Sequence, residues 1–368
     1  DKNKGAGGEL AVTRFDQPLG GQAAVQGQAY TEVGIIKITA TPQGSYFGET
    51  VAGGESNRIG RFTPAYLGAS GSASLRPSCG TFSYQGQPMD FAAAGEPTLA
   101  VTGYNRAGGV TRNYDLGPFW RLPEPSAPDY LSQTGRVGID ARLEVDGTAS
   151  SAVSGDDDGD GVRVYHWSGQ QLRYTPTVTA TAEDLPFPAE VEMNFSALSL
   201  TDQDGVCIAG PAGCQGYSKR FDQAPGSEVR LGRLRIENAH GSELQSLPLP
   251  LLVETWRDLA GARFAAETED SCTTPVELGA ANFVSYSGAL DAGETTATLD
   301  FFSSGSGQLT LSAPGAGNHG TAQLDFPALA DWLKYGWDGA VRRSAAGVAT
   351  FGIYSGSPPL IFRREVYR

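Results

Sequence analysis

The chain has 368 residues, 49 of them Gly and 22 Pro, with only 18% charged residues and a formal net charge of −14. Length allows two or three domains, each able to bury its own core, and the Gly-, Pro-, Thr- and Val-rich composition is that of an extracellular β protein. The acidic balance argues against nucleic acid, because phosphate binding needs clustered Lys and Arg and the 27 basic residues here are scattered.

Period-two alternation predicts strands along the chain, beginning with Ile36, Ile38 and Ala40 on one face and Lys37, Thr39 and Thr41 on the other. Gly- and Ser-rich stretches at 43–60 and 147–161 interrupt these patterns, and the Pro-rich run after Leu122 reads as a long loop. Ile139, Ala141, Leu143 and Val145 alternate with polar residues, and Asp146-Gly147 then supplies a hairpin turn signal. Val229 and Leu231 alternate, but Leu234 and Ile236 resume one residue out of phase, so Gly232-Arg233 reads as a β-bulge. In the next strand Leu247, Leu249, Leu251 and Val253 share a face while Pro248 and Pro250 take the other. Proline cannot donate to a ladder, so this strand is expected to start at a sheet edge. Leu309, Leu311 and Ala313 alternate before Pro314-Gly315. The best helix signal is Pro327 to Lys334, about two turns with Leu329, Trp332 and Leu333 on one side.

The predicted fold is therefore all-β: tandem antiparallel β-sandwich domains of immunoglobulin-like type with very little helix. The expected division is a short N-terminal β unit over 1–60 (the tail of a preceding domain), a sandwich over 61–205 and a second sandwich over 206–368.

Four cysteines without C-x-x-C spacing favour disulfides over zinc, and hence an oxidising compartment. Four cysteines permit three connectivities. Cys207 and Cys214 flank a short Gly- and Pro-containing loop and can meet at low entropic cost, which leaves Cys79 with Cys272. No run of apolar residues is long enough to span a membrane. The chain starts at Asp1 without an initiator Met or a secretory signal, as a processed piece of a longer protein would.

Asp156, Asp158 and Asp160 with Gly161 match the opening of an oxygen-rich calcium loop. The position that holds a bidentate Glu in an EF-hand is Trp167, and the flank reads as a strand, so an EF-hand is excluded and a calcium-binding β-loop remains as a candidate. The competing reading is a solvated acidic turn. Asp202 and Asp204 form a weaker candidate, since an Asx turn explains Asp-Gly without a metal. Of the three His, His166 lies in a strand and His240 in an expected hairpin turn, and no G-x-S-x-G or H-E-x-x-H motif is present. The chain is accordingly expected not to be an enzyme. Among five tryptophans, Trp120, beside the Pro-rich loop, is the best candidate for an exposed ligand-binding ring, although packing is the favoured reading even there.

An ordered set of segments resembles one family. Leu231 to Leu244 leads into Leu247-Pro-Leu-Pro-Leu-Leu-Val, Trp256 and Glu269-Asp-Ser-Cys-Thr. Ser344 to Gly356 follows, and the chain closes with Arg364-Glu-Val-Tyr. Earlier segments are Ile59-Gly-Arg-Phe-Thr-Pro-Ala-Tyr, Cys79-Gly-Thr-Phe-Ser-Tyr, Asn113-Tyr-Asp and Asp202-Gln-Asp-Gly-Val-Cys. Together, from about residue 30 to the end, they resemble the C-terminal region of the MshQ-like proteins, which accompany the mannose-sensitive haemagglutinin (MSHA) type IV pilus of Gram-negative bacteria. The resemblance implies a cell-surface, pilus-associated protein and no reaction. Around Trp337-Asp-Gly, where that family carries more acidic residues, this chain has Ala340 and Arg342-Arg343, which removes the case for a third cation site. Two functions follow as expectations: an extracellular adhesion or binding module for a surface ligand, such as a glycan, or a structural stalk or assembly factor that binds pilin-like subunits.

Overall fold

The computed structural model describes residues 5–14, 24–92, 95–222 and 228–352. The closing Arg364-Glu-Val-Tyr segment and the end of the Ser344–Gly356 stretch lie outside them.

The chain builds two packed β-sandwiches and an N-terminal ribbon. Strands Gly34–Ile36, Thr39–Ala40 and Ser45–Tyr46 fold back antiparallel on Glu49–Thr50, Gly54–Glu55 and Ile59–Phe62. In this ribbon Ile38 is exposed and Ile36 half-buried; Val33, just before the first strand, is the residue that enters the neighbouring core.

The first sandwich has a four-stranded sheet in the order Leu143–Ser154, Val162–Tyr174, Thr98–Tyr104, Tyr66–Ser72. Facing it is a three-stranded sheet in which Val191–Phe195 lies between Asp129–Ser132 and Tyr217–Arg220. Alternation fills the space between: Leu99 and Val101 from one sheet meet Val191, Met193 and Phe195 from the other, with Leu67, Tyr165 and Trp167. The expected boundary at 205/206 falls inside this unit, since Tyr217–Arg220 pairs with Val191–Phe195 and both Phe221 and Val229 join the same core.

The second sandwich stacks the sheet Gly232–Ile236, Leu247–Asp258, Ser306–Leu311, Ala297–Ser303 against Ala239–Gly241, Ala346–Phe351, Gly320–Asp325, Asn282–Gly288. Among the described residues the strand pairings are antiparallel except two short parallel ones, Glu228–Arg230 on Phe82–Tyr84 and Ala239–Gly241 on Ala346–Phe351, with one isolated parallel bridge between Leu67 and Ile208. His240 accordingly lies in a short strand and not in a turn.

Four local expectations are corrected. Asp146-Gly147 is not a hairpin turn: the strand runs through it to Ser154, with a bulge between Gly147 and Ser150 opposite Gly169. Both glycines hold positive φ, and a Cβ on Gly147 would sit 2.3 Å from the Gly169 carbonyl oxygen. The bulge also explains a phase change in the partner strand, where Tyr165 and Trp167 are buried before it and Leu172 and Tyr174 after it. Ile139 and Ala141 are not in the strand; Val137–Asp140 forms one helical turn that seats Ile139 in the core. The phase slip near Gly232 is not a bulge. The strand breaks at Leu231 and changes sheets, Glu228–Arg230 serving the first unit and Gly232–Ile236 the second. Within Pro327–Lys334 the helical part is one 3₁₀ turn, Asp331–Leu333, which packs Leu333 into the second core. The proline strand fits its edge expectation at its start: among the described residues Leu247–Leu249 ladders with Ser306–Leu311 alone, and the second side begins with the Glu237 amide donating to the Pro250 carbonyl and the ladder at Leu251.

Candidate functional site

The two sandwiches meet at a seam built from residues far apart in sequence. Cys79, Phe82 and Tyr84 come from the N-terminal half of the chain but pack into the second core. Cys79 is bonded to Cys272, and Cys207 to Cys214, as expected. Beside the first bridge, buried Asp270 accepts hydrogen bonds from the Tyr84 hydroxyl at 2.7 Å, the Thr273 hydroxyl at 2.6 Å and the amides of Cys272 and Thr273. A second buried acid, Glu267, accepts from Arg230 at 2.9 Å and from Arg257 and Thr255. A third, Asp184, accepts from Arg142 at 2.8 Å, and Arg142 also donates to Gln85. Three further bonds cross the seam: the Trp256 indole to the Thr181 carbonyl (2.8 Å), the Gly336 amide to the Val178 carbonyl (2.8 Å) and the Ala180 amide to the Tyr335 hydroxyl (3.1 Å). Asp184 and Glu267 are ion-paired, while Asp270 is held by hydrogen bonds from neutral hydroxyls and amides, and either arrangement offsets the cost of burying the charge.

On the second sandwich, next to these seam contacts, Arg233 stacks against three rings. Its guanidinium carbon lies 3.7 Å from the Phe264 centroid, 4.6 Å from Trp337 and 5.2 Å from Tyr335. Glu254 holds the same guanidinium by two hydrogen bonds. Trp337 is 39% exposed and borders a hollow of about 420 Å³ with Val284, Gln323, Asp325, Arg343 and Ser344. Trp120, the tryptophan singled out from sequence, is not exposed. Its ring packs 4.6 Å from Tyr114 and its indole N–H donates to the Tyr165 hydroxyl, so it belongs to the first core. The Pro-rich loop gave Trp120 an exposed neighbourhood in sequence. Trp337 is followed by Asp338-Gly339, turn residues that lie at the surface, and that was the available signal for exposure.

The acidic run forms the true hairpin turn between Leu143–Ser154 and Val162–Tyr174. Gly155, Asp157, Gly159 and Gly161 all take positive φ, so the turn winds back on itself. Inside it, Asp158 accepts from the Asp160 amide (3.1 Å) and Asp160 from the Val162 amide (2.7 Å). Asp157 reaches out to accept the Gly117 amide at 2.8 Å. Gly161 lies against Thr111, and the Gly159 amide donates to Asp115 Oδ2 at 3.0 Å. The tip is thus fastened to segment 111–117. Asp115, Asp158 and Asp160 each offer one carboxylate oxygen within 4.8 Å of the others, while Asp156 is exposed and outside the group. Burial pushes the Asp115 carboxyl above its ordinary value; the Gly159 amide opposes this and the neighbouring Asp158 adds to it.

The weaker acidic pair is held by protein groups. Buried Asp202 accepts from the Tyr114 hydroxyl at 2.8 Å and from the Asp204 and Val206 amides, and Asp204 pairs with Arg61. His166 contacts Ser154 within the hairpin. Among the described residues no helix is long and apolar enough to cross a membrane.

Residues 32–222 match the family model for the third domain of DUF6701, and residues 230–366 match its fourth domain. These two ranges part close to Leu231, where the strand changes sheets. No curated protein matches. Among solved structures, the zebrafish RET cadherin-like domains 1 to 4 align over 86% of this chain and 58% of their own, at 7% identity and a TM-score of 0.27. The I9–I11 tandem of titin aligns over 88% of this chain and 91% of its own, at 7% identity and a TM-score of 0.25. The chain therefore spans little more than half of the RET fragment.

Proposed function

The chain belongs to the DUF6701 family, and we propose that it is a non-enzymatic, extracellular adhesion or binding module, pilus-associated like the MshQ-like proteins it resembles. The observation that carries this reading is the half-exposed Trp337 beside a polar hollow, backed by Arg233 and anchored at the seam. An aromatic face flanked by amide, carboxylate and guanidinium groups is suited to a sugar ring, which stacks its C–H face and hydrogen-bonds at its edge. Arg233 packs against all three rings and is itself held by Glu254, a contact set present before any ligand arrives, which lowers the entropic cost of binding. The disulfides fit an oxidising, extracellular setting.

A second reading is favoured by one feature. Asn282–Gly288 is an edge strand of the second sandwich, and its Val284 is 52% exposed. An extended segment of a pilin-like subunit could add there by strand pairing, which is the mode of a stalk or assembly factor.

The test is a glycan-array screen of the purified chain, with calcium and with chelator, run beside capture of immobilised pilin-like subunits. The adhesion reading expects retention on a subset of glycans. Capture of pilin subunits with no glycan retained overturns it in favour of the second reading.

A further inference from the structure

The acidic cluster at the hairpin tip contains one residue that a solvated turn does not account for. Asp115 is fully buried, at 0% exposure, and comes from a different segment than the turn it faces. Its Oδ2 accepts the Gly159 amide, but its Oδ1 has no hydrogen-bond partner among the described residues. A buried carboxylate oxygen left without a donor is costly, and two more carboxylates crowded within 4.8 Å make it costlier. Arg163 lies nearby, but it donates to the Asp115 backbone carbonyl and lies over the Trp120 ring, and among the described residues it makes no ion pair with these carboxylates. A bound cation would supply that partner.

We propose that Asp115, Asp158 and Asp160 form a calcium site, with the buried Asp115 carboxylate as its anchor and Asp156 outside it. The donors are all oxygen, which selects a hard cation, and an irregular turn with four positive-φ residues suits calcium, whose coordination is flexible, over magnesium, which demands near-ideal octahedral geometry. The ion joins the hairpin tip to segment 111–117. That segment in turn holds the start of the N-terminal ribbon, since the Arg112 and Asn113 amides donate to Glu32 and the Asn113 side chain donates to the Val33 carbonyl. Bound calcium therefore stiffens three pieces of chain at one point.

The test is calorimetric titration of the full chain with CaCl₂ and, separately, MgCl₂, on wild type, Asp115→Asn, Asp158→Asn and Asp156→Asn. Amide hydrogen exchange at Gly159 to Val162 is followed in parallel. The expected wild-type Kd for calcium is on the order of 10⁻⁴–10⁻³ M, as in extracellular modules. Asp158→Asn, at an exposed position that does not threaten the fold, should weaken binding at least about tenfold, and Asp156→Asn by less than about twofold, because affinity follows ligand charge. Asp115→Asn, if folded, should weaken binding as Asp158→Asn does, and calcium should slow exchange in the tip. The proposal is overturned by any of four results: no saturable calcium binding up to about 10 mM, an order above the expected range; equal losses in Asp156→Asn and Asp158→Asn; unchanged affinity in folded Asp115→Asn; or tighter binding of magnesium than of calcium.

Discussion

Tyr84 donates its hydroxyl to Asp270 at 2.7 Å, joining a strand beside the first sandwich to a loop of the second, 186 residues further on. Burial, with Asp270 alongside, pushes the Tyr84 hydroxyl far above its ordinary value, so it stays a donor at any physiological pH. Hydrogen bonds to a charged group are worth more than neutral ones, and Tyr84→Phe should cost about 2 kcal/mol. Asp270→Ala should cost more, because it strands the buried Tyr84 and Thr273 hydroxyls. Urea unfolding of both variants checks the order; equal or negligible losses would remove this bond from the seam.

The two disulfides should differ in weight. In the chain-entropy model, the bridge spanning 193 residues constrains the unfolded chain by about 5 kcal/mol and the one spanning 7 by about 2 kcal/mol. Melting curves of Cys79→Ser/Cys272→Ser and Cys207→Ser/Cys214→Ser variants should show the larger drop in the first pair. The reverse order would contradict the role given to the seam bridge.

Acid should loosen the seam before anything else there. Burial alone would raise Asp184, but the Thr181 hydroxyl and amide and then Arg142 favour its charged form and hold it below its ordinary value. Glu267 is likewise pushed up by burial and pulled lower by Arg257, the Glu269 amide and Arg230. A depressed folded-state value means that the unfolded chain binds protons first. The stabilisation is thus present above the ordinary carboxylate value of about 4 and is lost as pH falls through the folded value. Stability measured from pH 7 downward should hold to about pH 5 and fall below about pH 4, and Arg257→Ala, less stable at pH 7, should lose less on acidification than wild type, since Glu267 without its strongest opposing partner is depressed less. An acid loss in Arg257→Ala equal to or larger than that of wild type would contradict the role given to this pair.

Much of the fold was legible because alternation reports burial directly, as at Leu247–Val253 and Leu309–Leu311, where the inward residues are the buried ones. What misled was local chemistry with two uses. Asp146-Gly147 has the residues of a turn, but Gly147 serves a bulge whose need arises from Gly169 on the partner strand. The slip at Gly232 marked a real event, yet whether a strand bulges or changes sheets depends on partners the local sequence does not name. Trp120 was a candidate for exposure because a Pro-rich loop follows it, and the packing favoured for it holds, through Tyr114 and Tyr165, which lie elsewhere in the sequence. Asp158 and Asp160 were visible as a motif. Asp115 was not, because a residue more than 40 positions away is brought to the tip only by packing of segment 111–117; its one trace was the Asn113-Tyr-Asp segment within the family resemblance.

The central claim is that Trp337 and its hollow hold a surface ligand. Its most direct test is retention under flow of beads coated with wild type or Trp337→Ala on a surface bearing the glycans selected by the array, with melting curves to verify that both are folded. Base-like stacking platforms lose about 1–3 kcal/mol per ring on truncation to Ala, and a comparable loss here would weaken binding roughly tenfold or more. Wild-type beads should stay and Trp337→Ala beads should wash off; equal retention of the two, or wash-off of both, would contradict the claim.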